Sequence, residues 1–162
     1  MIRKIIIGLI LIFNCLLLVC CRNNEFEEKE IISDTITKKD ESIKDEVMKN
    51  IEIKVGDLTY EAALYNNDSV EEFIKLLPIA ITMNELNGNE KYFYLDNDII
   101  NNPSKVNEIH TGDLMLYSSD CLVLFYEDFK TSYSYTPLGY IKNLEGLKEA
   151  LTSGNVQVSF SR

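Results

Sequence analysis

A chain of 162 residues is long enough for one ordinary domain and too short for two, once ends that do not fold are set aside. Its formal charge of −10 argues against a nucleic-acid partner, because polyanions are held by clustered Lys and Arg and no basic stripe exists here. The only arginines are Arg3, Arg22 and Arg162, so the interior of the chain offers no guanidinium to a mechanism that needs one.

Arg3 and Lys4 precede an apolar run from Ile5 to Val19, the charged and hydrophobic regions of a secretory signal peptide. The run is shorter than the about 20 apolar residues a membrane-spanning helix needs. It ends Leu18-Val19-Cys20-Cys21, which resembles the bacterial lipobox, with Leu18 in the leading apolar place, Cys20 in the small place and Cys21 as the lipid acceptor. The expected organisation is therefore a lipoprotein signal peptide over 1–20, a lipid-anchored charged linker over 21–50, and a folded domain over 51–162. The resemblance implies a diacyl or triacyl Cys21, which would hold the protein stably on the extracytoplasmic face of the cell membrane where a single acyl chain would not. Cys15 and Cys20 would leave with the signal, so Cys121 alone remains in the domain, where a small buried hydrophobe is the expected role.

The domain opens with Ile51, Ile53 and Val55 alternating with Glu52 and Lys54, a Gly56-Asp57 turn, and a second strand from Leu58 to Tyr65. Ser69 with Glu72 has capping-box spacing and predicts a helix bearing Val70, Phe73, Ile74, Leu76 and Leu77 on one face, stopped by Pro78. Ile79 to Met83 reads as a strand, and residues 84 to 111 as an irregular, Asn-rich segment. Asp96, Asn97 and Asp98 lack the glycine and further oxygen ligands of a calcium loop, so they are read as turn formers. His110, the only histidine, has no companion ligands, and neither a metal nor a cofactor is expected.

Gly112 to Ile141 is the densest block of strand-forming residues. Leu114 to Tyr117 and Cys121 to Tyr126 flank the turn Ser118-Ser119-Asp120, and both runs are apolar at nearly every position. This predicts a hairpin covered on both faces, one by a barrel interior and the other by a helix or loop. Asn143 can cap a helix in which Leu144, Leu147, Ala150 and Leu151 share a face, Gly154 ends it, and Val156, Val158 and Phe160 alternate as a closing strand.

The order of these pieces resembles the bacterial cyclophilin-like fold family over about Ile51 to Phe160. The residues that carry it are the strand ending Val55-Gly56, the helix ending Leu76-Leu77-Pro78, Gly112-Asp113-Leu114-Met115-Leu116-Tyr117, Leu122 to Tyr126, Ser134-Tyr135-Thr136-Pro137-Leu138-Gly139, and Leu144 to Phe160. The resemblance implies a mainly β fold, a closed or partly open barrel of about eight strands with two short helices capping its ends. In the isomerases of this fold a catalytic arginine lies in a Phe-His-Arg segment and a Gln-Gly-Gly lines the proline pocket; neither can be placed here. Pro137 and Tyr140 also stand where the family often carries Thr-Arg-Leu-Gly and a basic residue. No catalytic residue is assigned. The expectation is a non-catalytic lipoprotein domain that binds a peptide or small ligand, a weak peptidyl-prolyl isomerase being the alternative. Tyr117 and Phe125 are expected to fill the barrel or cover its wall, while Tyr133, Tyr135 and Thr136, in the segment after the hairpin, are the candidate ligand-binding residues.

Overall fold

The computed structural model describes residues 49–152 and 154–162. The expected signal peptide, the lipidated Cys21 and the linker as far as residue 48 lie outside them.

The opening hairpin forms as its alternation requires, from β1 (Lys49–Val55) and β2 (Leu58–Leu64), with Ile51, Ile53 and Val55 buried and Gly56 in the left-handed region at φ +59°. β1 begins two residues before the expected boundary, so Lys49 and Asn50 belong to the barrel and not to the linker. Helix α1 (Asp68–Lys75) buries Val70, Phe73 and Ile74. Its cap is Asn67, not Ser69: Asn67 Oδ1 accepts the Val70 N–H at 2.9 Å, and its Nδ2 donates to the Pro137 carbonyl at 3.0 Å. That second bond ties the helix start to a distant strand, which selects between two locally adequate caps. Ser69 is instead buried in the first turn.

β3 (Ile79–Leu86) is followed by β4 (Glu90–Tyr94), a strand inside the segment expected to be irregular. After β5 (Ser104–Lys105) and β6 (Glu108–Ile109) come the two strands of the central hairpin, β7 (Asp113–Tyr117) and β8 (Cys121–Phe125), paired from Tyr117 opposite Cys121 to Leu114 opposite Leu124. β9 (Phe129–Lys130) and β10 (Ser134–Ile141) follow, then α2 (Leu147–Leu151) and β11 (Val156–Ser161). α2 starts later than expected. Asn143 Oδ1 accepts the Glu145 N–H at 3.1 Å in a local turn, and Gly146, at φ +72°, takes the cap position without a side-chain bond. Leu144 is left exposed while Leu147 and Leu151 are buried.

Eight strands close an antiparallel barrel in the order β2, β1, β11, β3, β4, β8, β7, β10 and back to β2. β11 completes it by pairing with both β1 and β3. The closing seam sets Gly139 opposite Leu64. A Cβ at Gly139 would stand 2.2 Å from the Ala63 carbonyl oxygen, so the two strands meet only because no side chain intervenes. One residue pair away, β10 slips register between Pro137 and Gly139, and this bulge accommodates a proline inside a paired strand.

The central hairpin is covered on both faces, as its unbroken apolar pattern predicts. Leu114, Leu116, Leu122 and Leu124 point into the barrel core, where Phe73 of α1 meets Phe160 of β11 edge to face at 5.8 Å. Met115, Cys121, Val123 and Phe125 point outward into a second apolar cluster with Ile109, Val106, Phe129, Tyr92 and Tyr135; the ribbon formed by β6 and β9, and not a helix or loop, covers part of it, and tyrosines flank the rest.

Candidate functional site

β4, β8, β7 and β10 are consecutive staves of the barrel, and the two-residue period of a strand decides which side chains reach their outer wall. From β4 these are Glu90, Tyr92 and Tyr94, with Tyr92 opposite Val123 and Tyr94 opposite Cys121. From β7 and β10 they are Tyr117 and Tyr135. The β6–β9 ribbon covers this wall around Phe125, whose ring lies 5.7 Å from Phe129 and 5.5 Å from Tyr135.

Beyond the ribbon the wall opens as a cleft of about 390 Å³. Cys121 and Val123 of β8 form its floor, between Tyr92 and Tyr94 on the β4 side and Tyr117, Tyr133 and Tyr135 on the other; Leu86, Asn87 and Glu90 close the end beside the β3–β4 turn. The rings brace one another: Tyr92 and Tyr94 meet at 5.7 Å, Tyr117 lies 6.2 Å from Tyr133 and 5.6 Å from Tyr135. Tyr94, Tyr117 and Tyr133 remain exposed, at 60%, 43% and 63%, whereas Tyr135 is buried. Burial, with the Glu90 charge next, pushes the Tyr135 hydroxyl up to about 12. Burial likewise raises the Cys121 thiol to about 11, with Asp120 and Glu90 adding, so this buried cysteine is a protonated, unreactive floor at neutral pH.

Two charged groups at this end of β4 have opposite fates. Lys91 is wholly buried, on the inner face. Its ammonium donates to the Glu85 carboxylate and to the Gly154 carbonyl, and lies 5.5 Å from the Tyr126 ring centre. Glu85 also accepts the Tyr126 hydroxyl, at 2.7 and 2.8 Å to its two oxygens, and the Gly88 N–H at 2.8 Å. Burial works against ionising Glu85, but the hydrogen bonds from Lys91, Tyr126 and Gly88, with the Lys91 charge, hold its carboxyl below the usual range. Glu90, the adjacent residue, faces the other way. It is 8% exposed and lines the cleft, and its carboxylate has no hydrogen-bond or ion-pair partner among the described residues while keeping some contact with solvent. Burial, with the Glu85 charge adding, pushes its carboxyl up.

The structure brings together Tyr133 and Tyr135 from the expected ligand-binding set but separates Thr136 from them. The segment is not a loop beyond Tyr133, since β10 begins at Ser134, and alternation turns Thr136 to the opposite side. Its hydroxyl accepts the Asn102 N–H at 2.9 Å beside a different hollow lined by Tyr65, Asn67 and Pro137. Tyr117, expected as barrel or wall filling, is instead an exposed part of the cleft; Phe125 is buried on the outer wall. Glu90, Tyr92 and Tyr94 lie in the segment expected to be irregular, although Tyr92-Phe93-Tyr94 alternating in phase with Glu90 is a strand signal.

Other groups with chemical potential lie elsewhere. Exposed His110 uses its backbone N–H to bond Asp113 at 2.8 Å in a turn, and Arg162 donates to the Ile74 carbonyl at 2.9 Å beside α1. Among the described residues no group of three or more His, Cys, Asp or Glu is placed to hold a metal ion.

The barrel has recognisable relatives. The solution structure of the hypothetical protein AF2241 from Archaeoglobus fulgidus superposes with a TM-score of 0.52 at 19% identity, covering 74% of this chain and 98% of that one. McbB, solved in complex with tryptophan, superposes with a TM-score of 0.52 at 19% identity over 69% of this chain, which spans only 44% of McbB. At such identities the likeness is one of fold alone. No curated protein matches the chain. The cyclophilin-like family matches residues 53–161, from within β1 to the last residue of β11, and the chain belongs to that family.

Proposed function

We propose that the protein is a lipoprotein held by Cys21 on the extracytoplasmic face of the cell membrane, and that its barrel binds a small ligand, or a side chain of a peptide, in the tyrosine cleft without transforming it. The observation that carries the binding reading is the cleft itself. Three tyrosines stay exposed on an otherwise covered wall, and its volume falls in the range typical of small-molecule sites, about 300 to 1,000 Å³. Aromatic rings held by their neighbours offer large contact area at little cost in conformational entropy. The thiol and the buried Tyr135 hydroxyl beside them, pushed up to about 11 and about 12, stay protonated near neutral pH and offer no nucleophile.

Titration of a fragment set against the full chain, followed by backbone amide shifts, is expected to move Asn87, Tyr94, Tyr117 and Tyr133 as one group; a set that moves none of them overturns the binding reading. In a proline-isomerisation assay the protein is expected to leave the background rate unchanged. A clear acceleration lost on Tyr133→Ala would establish the isomerase alternative. Cys21→Ala is expected to release the protein into the medium, and its persistence in the membrane fraction would overturn the anchor.

A further inference from the structure

We infer that the cleft is built for an organic cation: a small molecule carrying an alkylated ammonium group, its charge set against Glu90 and its alkyl shell held by Tyr92, Tyr94, Tyr117 and Tyr133. The inference rests on the binding role proposed above and names the chemistry of the ligand.

Glu90 is the decisive residue. Glu90 is 8% exposed, and its carboxylate, in contact with solvent through the cleft, has no partner among the described residues; a charge so enclosed is one that a ligand can compensate, since buried charges are otherwise paired or hydrogen-bonded. The nearest buried cation does not supply it. Lys91 lies on the opposite face of β4, committed to Glu85 and the Gly154 carbonyl. The upward push on Glu90, from burial and from Glu85, is what a negative charge lacking a counter-charge shows. Glu90 lines the cleft at the end closed by Leu86 and Asn87.

The remaining lining selects among cations. A bare metal ion would want several oxygen, nitrogen or sulfur donors, and no group of three or more His, Cys, Asp or Glu among the described residues is placed to hold one. A primary ammonium has three N–H donors to satisfy, and beyond Glu90 its acceptors would be the Asn87 amide oxygen and the hydroxyls at the tips of the tyrosines, leaving the ring faces unused. An alkylated ammonium needs no such acceptors and is attracted by the negative faces of tyrosine rings. An anion would be repelled by Glu90, and a neutral ligand without an N–H or O–H donor would desolvate that carboxylate further without compensating it. The net charge of −10 favours the approach of a cation.

Choline and 3,3-dimethylbutan-1-ol, which differ by a carbon in place of the charged nitrogen, separate the charge from the shape. Both are titrated calorimetrically into the full chain in a maltoside detergent, which carries no ammonium group of its own. Choline is expected to bind at least about tenfold more tightly than the alcohol. Glu90→Gln should weaken choline about 10- to 100-fold and erase its advantage, while Tyr117→Leu or Tyr133→Ala should weaken it about 3- to 10-fold. A thermal melt of Glu90→Gln showing an intact fold separates lost recognition from lost structure. Equal binding of the alcohol, or indifference of choline to Glu90→Gln, overturns the cation inference but leaves a ligand-binding cleft. Absence of saturable choline binding overturns it too, leaving the fragment titration to decide the broader reading. N-acetyl-lysine methylamide and its trimethylated form separate the sources: the trimethyl form is expected to bind more tightly than the primary amine and no more tightly than choline. A tighter primary amine overturns the alkyl-shell assignment, and tighter trimethyl-lysine than choline overturns the assignment to a small molecule in favour of a peptide side chain.

Discussion

The two faces of β4 handle buried charge in opposite ways, although their key residues are neighbours in the chain. On the inner face Lys91 is fully buried and fully compensated: a carboxylate, a backbone carbonyl and a tyrosine ring surround its ammonium, and the carboxylate is itself bonded by Tyr126 and Gly88. On the outer face Glu90 is 8% exposed, and its carboxylate has no such company among the described residues. The inner arrangement is what a barrel end needs in order to bury charge without leaving it unpaired. The outer one has no structural reason to persist, because an apolar residue would pack against Val123 and Phe125 at no electrostatic cost. A fold that completes one site and leaves the other incomplete separates structural from binding polarity, and substitution on each face should show it.

The largest effect belongs to the inner face. Lys91→Met keeps most of the side-chain volume but strands Glu85, and is expected to lower unfolding free energy by about 3 kcal/mol, the low end for breaking a buried pair because Glu85 keeps some access to water. Urea denaturation midpoints measure it, and a Lys91→Met, Glu85→Leu double variant should recover most of the loss. A single variant within about 0.5 kcal/mol of the parent would show that the network contributes little to the barrel. Tyr126→Phe removes only the hydroxyl donated to Glu85, and about 1.5 kcal/mol is expected from the same measurement.

The contrast between the faces also marks what was legible in the sequence. The opening hairpin, the doubly covered central hairpin and the closing strand follow from apolar period and turn residues within a few positions of each other, and all three form where expected. β4 did not announce itself. Asn84, Asn87 and Asn89 precede it, and Glu90-Lys91 at its start reads as a solvated loop, because two of the three groups that make Lys91 tolerable inside the protein, Tyr126 and Gly154, lie far along the chain from it and from Glu85. Losing β4 loses one wall of the cleft, with Glu90, Tyr92 and Tyr94. The helix caps fail for a related reason. Asn67 and Ser69 are both good local caps, and the choice is made by a bond to the Pro137 carbonyl. Tyr133 and Tyr135 could be singled out by type, but Thr136 was grouped with them because a segment read as loop has no faces. Once Ser134 begins a strand, alternation sends Thr136 to the other side.

The smallest expected effect, on the outer face, is a stabilisation. Glu90 has its folded carboxyl raised above the ordinary value of 4.5 while the unfolded chain keeps that value. Between the two values the folded state holds more proton than the unfolded state, so stability falls as pH rises through this window, and above it the full cost of the buried charge remains. Glu90→Gln removes that cost. At pH 7 the variant is expected to be more stable by on the order of 1 kcal/mol, and at pH below the ordinary carboxyl value, where Glu90 is neutral in both states, the gain should vanish. Glu85 has the reverse sign. Its lowered carboxyl contributes stability that is present above the ordinary range and lost as pH falls through the lowered value. The acid limb of the stability profile should therefore survive in Glu90→Gln, while the decline toward neutral pH is reduced. Denaturant midpoints from pH 3 to pH 8 measure both limbs. A variant no more stable than the parent at pH 7 would mean that Glu90 is already compensated inside the free protein, and the asymmetry between the two faces of β4 would disappear with it.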